Sequence, residues 1–522
     1  MPGVAVKQRI EQHYIDTNHA MPEYLRSLVV ILVITTIFFI FVRPAVSGIV
    51  NAADFTRRRN LWFYLTLAAF LSTNFWIYAV ISIMLLLNAS KYESNPPALF
   101  FFTLFVLPLG TIQVPGMGMF NFLFNLSNGR IIELTVLVPA YLLLMRQDNV
   151  RPFGNTGPDL AISAYLLLNA VLHLRDASLT ETLRQAFYLF IDAYLPYFVI
   201  SRSLTNLQTF RDTLLSLVVS IMLLAPLAVF EAVKHWHLYT ALTSVLKLSG
   251  GATMDYLERD FILRATVTAS QPIVLGYLMA VGIGFYLFVQ RFINNKFFLT
   301  VGMATLIVGL VSALSRGPWV GAAALLLAFI VTGRFAVRRL ISLALVGVIV
   351  FPLISMLPGG ERVINLLPFI GRTESANINY REDLLTSSLA VIKRNPWFGS
   401  NDYLNTPEMQ AMRQGEGIID IVNSYIWVAL NSGLIGLSLF ITFFTLVLLG
   451  IYRGMRYSPG KDSEEHLLGR ALLATLLAIL IIIFTVSSIS FIPIIYWSVA
   501  GLGVAYAQMM RKSRFMQPND IG

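Results

Sequence analysis

The sequence predicts an all-α, polytopic membrane protein with 12–14 transmembrane helices and two long loops on the periplasmic side. Three observations predict it. Of 522 residues, 56% are hydrophobic and only 13% are charged, about half the share of a soluble chain. Mean hydropathy is +0.70. Apolar runs recur uninterrupted along nearly the whole length, where the strands of a barrel would alternate.

Residues 1–26 mix both charge signs and are too long for the basic segment of a signal peptide, so the first apolar run reads as a retained span. Spans fall near 27–47, 61–87, 98–110, 131–145, 158–173, 178–201, 213–233, 272–289, 297–314, 319–333, 340–357, 424–451, 469–490 and 494–510. The net charge is +10, but most Lys and Arg sit beside spans, where they set topology, so nucleic acid is not an expected partner. Arg291/Lys296, Arg334/Arg338/Arg339, Arg453/Arg456/Lys461 and Arg511/Lys512/Arg514 all fall on one side if spans alternate. By the positive-inside rule that side is the cytoplasm. Arg57-Arg58-Arg59 falls on the other side. Either 61–87 is then a tight hairpin or 43–59 lies along the interface.

The outer side receives loops 234–271 and 358–423 and the short turn Ser315–Pro318. The chain divides into an N-terminal transmembrane region (1–254), a central region with the 358–423 loop (255–455) and C-terminal helices with a tail (456–522). The absence of cysteine excludes disulfides, thiolate nucleophiles and cysteine-ligated metals. No repeat of 20–50 residues is visible.

Polar chemistry gathers on the outer face. In "VSALSRGPWVGAAALLLAFIV" (311–331), Arg316 interrupts two apolar runs, and an arginine at bilayer depth costs about 2.5–3.5 kcal/mol. A sharp outer turn resolves the conflict, with Gly317 for backbone freedom and Pro318 starting the next helix. In "NINYREDLLTSSLAVIKRNPWFGS" (377–400), Leu384, Leu385, Leu389 and Ile392 predict an amphipathic helix over 381–394, opened by Arg381 and stopped by Asn395-Pro396. Arg264 precedes a Thr/Ser/Gln segment that enters the next span. Taken alone, Arg316 would snorkel to lipid headgroups, Arg264 would be an interfacial anchor, and Arg381 would pair with Glu382 or Asp383 or stay solvated. Three converging on one pocket would suit a diphosphate, because guanidinium forks match phosphate oxygens in pairs.

These stretches resemble the O-antigen ligase/polymerase family of membrane transferases that move lipid-diphosphate-linked glycans. "SRGPWVG" (315–321) is similar to the family's Ser-Arg-Gly turn, and "REDLLTSSLAVIKRNPWFGS" (381–400) resembles its long-loop pattern. "VNSYIWVALNSGLIGL" (422–437) resembles the opening of the following span, and "RATVTASQPIVLGYL" (264–278) is a looser match. The resemblance covers about 255–455. It implies glycosyl transfer without metal or cofactor, from an undecaprenyl-diphosphate-linked oligosaccharide, with Arg316 and Arg381 as catalytic cations. Arg264, Asn423 and Glu416 would bind substrate. Membrane lipids, a chain-length regulator and a flippase are the other expected partners.

One departure matters. Ligases of the family typically carry a histidine immediately before the loop-end Asn, and here Val422 precedes Asn423. Valine accepts no proton, which favours a polymerase of O-antigen or exopolysaccharide repeat units, with an O-antigen ligase as the alternative. A substitute base would be Asp420 first and Glu416 second, with His235 and His237 as a third option. Glu231, Arg184 and Asp192 are charges in or near spans, and an Arg184–Asp192 pairing would hold helices together. The readings of another class are a polysaccharide transporter or flippase and a non-catalytic assembly partner. One-sided polar chemistry without a repeat favours the enzyme.

Overall fold

Backbone at bilayer depth must satisfy its N–H and C=O groups within its own segment, and an apolar chain of this length does so by folding into helix after helix. The computed structural model describes residues 21–116, 118, 121–148, 150–249, 257–259, 262–356, 375–414 and 417–516. Among them, eight helices have the length and apolarity to cross a membrane, and three shorter apolar helices, Phe75–Lys91, Lys296–Ser312 and Arg316–Val331, pack with them. The sequence runs that read as spans are thus realised partly as long helices and partly as short or interrupted ones.

The chain begins with α1 (Glu23–Val46), α2 (Ala52–Leu71), α3 (Phe75–Lys91) and the short α4 (Pro96–Leu104). An antiparallel hairpin follows, β1 (Thr111–Pro115) with β2 (Phe122–Ser127), in which Thr111 faces Ser127. Next come α5 (Asn128–Met145), α6 (Gly157–Asp176), α7 (residues 179–203, with a π turn at Phe190–Tyr194) and α8 (Leu207–Lys234). A two-residue hairpin, β3 (Glu258–Arg259) with β4 (Ile262–Leu263), precedes α9 (Pro272–Val289), α10 (Lys296–Ser312), α11 (Arg316–Val331) and α12 (Ala336–Met356). The amphipathic α13 (Ser375–Arg394) leads to α14 (Ser424–Arg456), α15 (Glu464–Ile482) and α16 (Phe491–Met516).

Ion pairs mark one end of this bundle. Arg211 pairs with Glu464, Arg334 with Asp462 at 2.6 Å, and Arg291 donates to the Asp462 carbonyl at 2.7 Å. Arg58 joins the same end. It is 1% exposed and grips Glu93 at 2.6 Å and Asp212 at 2.5 Å, with Ser216 at 3.0 Å. The run 61–87 is therefore a tight hairpin of α2 and α3, turned at Ser72–Asn74, and Arg57-Arg58-Arg59 lies with the other basic loops. Asn74 makes the turn possible by accepting the Trp76 and Ile77 N–H groups at the α3 N-terminus.

The expected Arg184–Asp192 pair does not form. Eight residues of helix separate the two by about 12 Å of rise. Asp192 pairs with Arg130 at 2.7 Å, and Arg184 donates to the Phe122 and Leu123 carbonyls of the hairpin. A buried Arg202–Asp159 pair, joined by the Tyr197 hydroxyl at 2.7 Å, ties α7 to α6.

Candidate functional site

The opposite end of the bundle carries the sequence-predicted arginines. Arg316 is the first residue of α11 and is half-buried. The helix starts there and not at Pro318, which costs nothing because N–H groups of the first turn have no intrahelical acceptor. Gly317 serves close approach, not the backbone freedom the sequence suggested. It is helical, and a Cβ on it would lie 2.4 Å from Thr485 Oγ1. Four residues on, a Cβ on Gly321 would lie 2.2 Å from Ile482 Cγ1. Gly317-x-x-x-Gly321 is therefore a small-residue face that lets α11 press against the end of α15.

Arg381 reaches the same place from the long loop. Its Nη2 donates to the Thr485 carbonyl at 3.3 Å. The helix that carries it starts at Ser375, so Arg381 lies within the helix and not at its opening as expected. Asn395-Pro396 does stop it. The buried stripe is Leu384, Ser388 and Val391, packed with Tyr403, Met409, Met412, Ile421 and Leu430 in a small apolar cluster of the loop's own. Leu385 and Leu389, expected on the buried face, are nearly half exposed. They share an outer stripe with Arg381 at i, i+4 and i+8.

Asp420 closes the group. Its Oδ1 accepts the Ser487 hydroxyl at 2.7 Å, and its carbonyl accepts the Tyr380 hydroxyl at 3.1 Å, one residue from Arg381. Burial raises the Tyr380 hydroxyl above the ordinary tyrosine range, so it remains a donor. Asn423 is the N-cap of α14, and its Oδ1 accepts the Tyr425 and Ile426 N–H groups. That oxygen is engaged in the helix terminus. Glu416 lies outside the described residues.

Arg264 sits on the segment bound to this turn from the other side. The next residue, Ala265, donates its N–H to the Ser312 carbonyl at 3.1 Å, and Arg259 donates to the Leu314 carbonyl at 2.6 Å. Beneath them Glu231, fully buried at the end of α8, accepts the N–H groups of Leu238, Thr266 and Val267, each at 2.9 Å. His237 Nδ1 lies 3.3 Å from the same carboxylate and is buried, which makes it part of this brace. His235 caps α8 in a left-handed conformation with φ 48°.

Sequence reasoning missed the hub itself. Thr485, Ser487, Ser488 and Ser490 form a turn between α15 and α16 that touches every arm. Ser488 donates to Ser424 Oγ at 2.9 Å, Ser424 donates to the Val486 carbonyl at 2.8 Å, and Ser490 donates to the Ala269 carbonyl at 3.4 Å. Four hydroxyls in "TVSSIS" (485–490) were the available signal, hidden when 469–490 read as one span.

The long loop is fastened to a break in α14. Gly433 has φ 66° and ψ −170°, and a Cβ there would lie 2.3 Å from the Trp397 carbonyl. The Leu434 N–H donates to the Pro396 carbonyl at 2.7 Å, and the Ser400 N–H donates to the Leu430 carbonyl at 2.8 Å. The backbone of 396–400 thus replaces hydrogen bonds that the helix gives up.

Residues 301–441 match the family model described as O-Antigen ligase, Wzy_C. Over these residues the chain is similar to the O-antigen ligase family. The O-antigen ligase match takes in Arg316, Arg381, Asp420, Asn423 and the Gly433 break. Glu231, Arg264 and the 485–490 turn lie beyond its limits. No curated protein matches the chain.

Proposed function

We propose that this protein polymerises undecaprenyl-diphosphate-linked repeat units of O-antigen or exopolysaccharide at the periplasmic face of the inner membrane. The supporting observation is the meeting of the Arg316 helix and the Arg381 helix on one turn, at the end of the bundle away from the basic loops. In this reading an acceptor hydroxyl oxygen bonds to the anomeric carbon of the donor sugar. The carbon–oxygen bond to diphosphate breaks, and the diphosphate leaves with the electron pair. Arg316 and Arg381 stabilise the charge that develops there, and Arg264 holds the ground-state diphosphate. Asp420 takes the hydroxyl proton, the role that Val422 cannot fill. Leu385 and Leu389, on the outer stripe of α13 with Arg381, offer apolar surface beside the charge, which suits a donor with a phosphate head and a polyprenyl tail.

Purified protein supplied with lipid-linked repeat units should yield a ladder of lengths. Lysine keeps the charge but loses the paired fork. Arg316→Lys and Arg381→Lys should each lose a few kcal/mol of transition-state stabilisation, hence on the order of a hundredfold in rate. Asp420→Asn should cost about a hundredfold or more. Normal ladders from both lysine variants overturn the arginine roles. Single-step transfer to lipid A core by the wild type overturns the polymerase assignment.

A further inference from the structure

The basic end holds a cavity that the transfer reaction does not use. It lies between the N-terminus of α6, the last turns of α14 and the last turns of α16, and measures about 570 Å³. Arg151, Arg453, Arg511 and Arg514 stand around it, and among the described lining residues none is acidic. Asp159, next in sequence to the lining Pro158, is buried and held by Arg202 and Tyr197, so it does not face these cations. The adjoining cavity shares Tyr457 and Arg514 and contains one carboxylate, Glu465, together with Arg456 and Lys512. The Arg514 guanidinium lies 4.8 Å from the centre of the Tyr457 ring, which steadies it at the mouth.

The wall changes character with depth. Leu446, Val447, Gly450, Val504 and Ala507 line the part that runs back along α14 and α16 into the bundle. Gly450 leaves its side of the wall low, since a Cβ there would meet only Ala507, at 3.4 Å. The first turn of α6 adds the positive end of a 20-residue helix. A soluble anion would use the guanidiniums and leave the apolar wall wet. An amphiphile with an anionic head would use both.

From this arrangement we infer that the cavity is a binding site for one anionic phospholipid of the cytoplasmic leaflet, its phosphate among the four arginines and its acyl chain against the Leu446–Val504 wall. Clustered basic residues at a membrane surface attract anionic headgroups at about fivefold in affinity per cation. Two arginines removed together should therefore weaken retention roughly thirtyfold.

The test uses the full chain in nanodiscs of phosphatidylcholine doped with phosphatidylglycerol, with retained lipid counted by native mass spectrometry. The wild type should keep one phosphatidylglycerol that Arg453→Gln with Arg514→Gln releases. Arg291→Gln with Arg334→Gln, at the same end but outside the cavity, should keep it. Millimolar inorganic phosphate should not displace it, and phosphatidylglycerol should raise the melting temperature of the wild type above that in phosphatidylcholine alone. The inference falls if the cavity variant retains the lipid, if the control loses it equally, if inorganic phosphate displaces it, or if the two lipids give one melting temperature.

Discussion

Replacing Gly321 by alanine tests whether the fit of α11 on α15 positions the arginine end. The added Cβ would lie 2.2 Å from Ile482 Cγ1, 2.5 Å from its Cδ1 and 3.4 Å from the Ala478 carbonyl. Carbon atoms rest at about 3.5–4.0 Å, so Ile482 or the whole helix must yield by roughly 1.5 Å. Ile482 is fully buried and has little room to turn. Overpacking of this kind costs about 1–3 kcal/mol, which should appear as a melting temperature lower by a few degrees in detergent. The displacement is passed on, because Thr485, three residues beyond Ile482, carries the contacts of both Gly317 and Arg381. A misplacement of about 1 Å at a reacting centre can cost about a hundredfold. Gly321→Ala should therefore lower both stability and the rate of ladder formation, and adding Ile482→Ala should restore much of each by clearing the clash. Wild-type stability and rate in Gly321→Ala, or a double variant no better than the single, would refute the reasoning.

Glu231→Gln keeps one oxygen but turns an amide N–H toward either the Leu238 N–H or the Thr266 and Val267 N–H groups, and should cost about 1–3 kcal/mol. Hydrogen exchange should quicken at Thr266 and Val267, with slower transfer because the segment after Arg264 loosens. Gly433→Ala places a side chain at φ 66°, a strain of about 1–3 kcal/mol, against the Trp397 carbonyl. Protection of the Leu434 and Ser400 amides should fall, and protease should cut within 396–400 sooner than in the wild type.

The helical architecture was legible because hydropathy sums over many residues, and the runs at Leu207–Lys234 or Pro272–Val289 leave no other reading. The Asn395-Pro396 stop was legible too, since proline acts on its neighbour regardless of tertiary context. What escaped has a common cause: features of one or a few residues inside an apolar run. The turn that splits 61–87 into α2 and α3 rests on Ser72, Thr73 and Asn74, so the sequence offers the hairpin that returns Arg58 to the basic end only as one of two alternatives. The 485–490 hub sat at the tail of a run that hydropathy extended through it. Gly433 breaks α14 by one backbone angle, which no window average registers. The buried stripe of α13 was misassigned by about one residue's rotation, because leucines cover a wider arc of that helix than the loop buries.

The docking of 396–400 into α14 also orders events during synthesis. The ribosome delivers the carbonyls of Pro396 and Trp397 before it delivers Leu434 and Ile435, whose N–H groups donate to them. Until α14 has been made, the loop has no seat and its backbone is held by water. The broken helix thus acts as a latch, closing the loop onto a helix whose donating N–H groups arrive 38 residues later. A chain halted just before Ser424 would carry both arginine-bearing elements yet lack the part that fastens one of them.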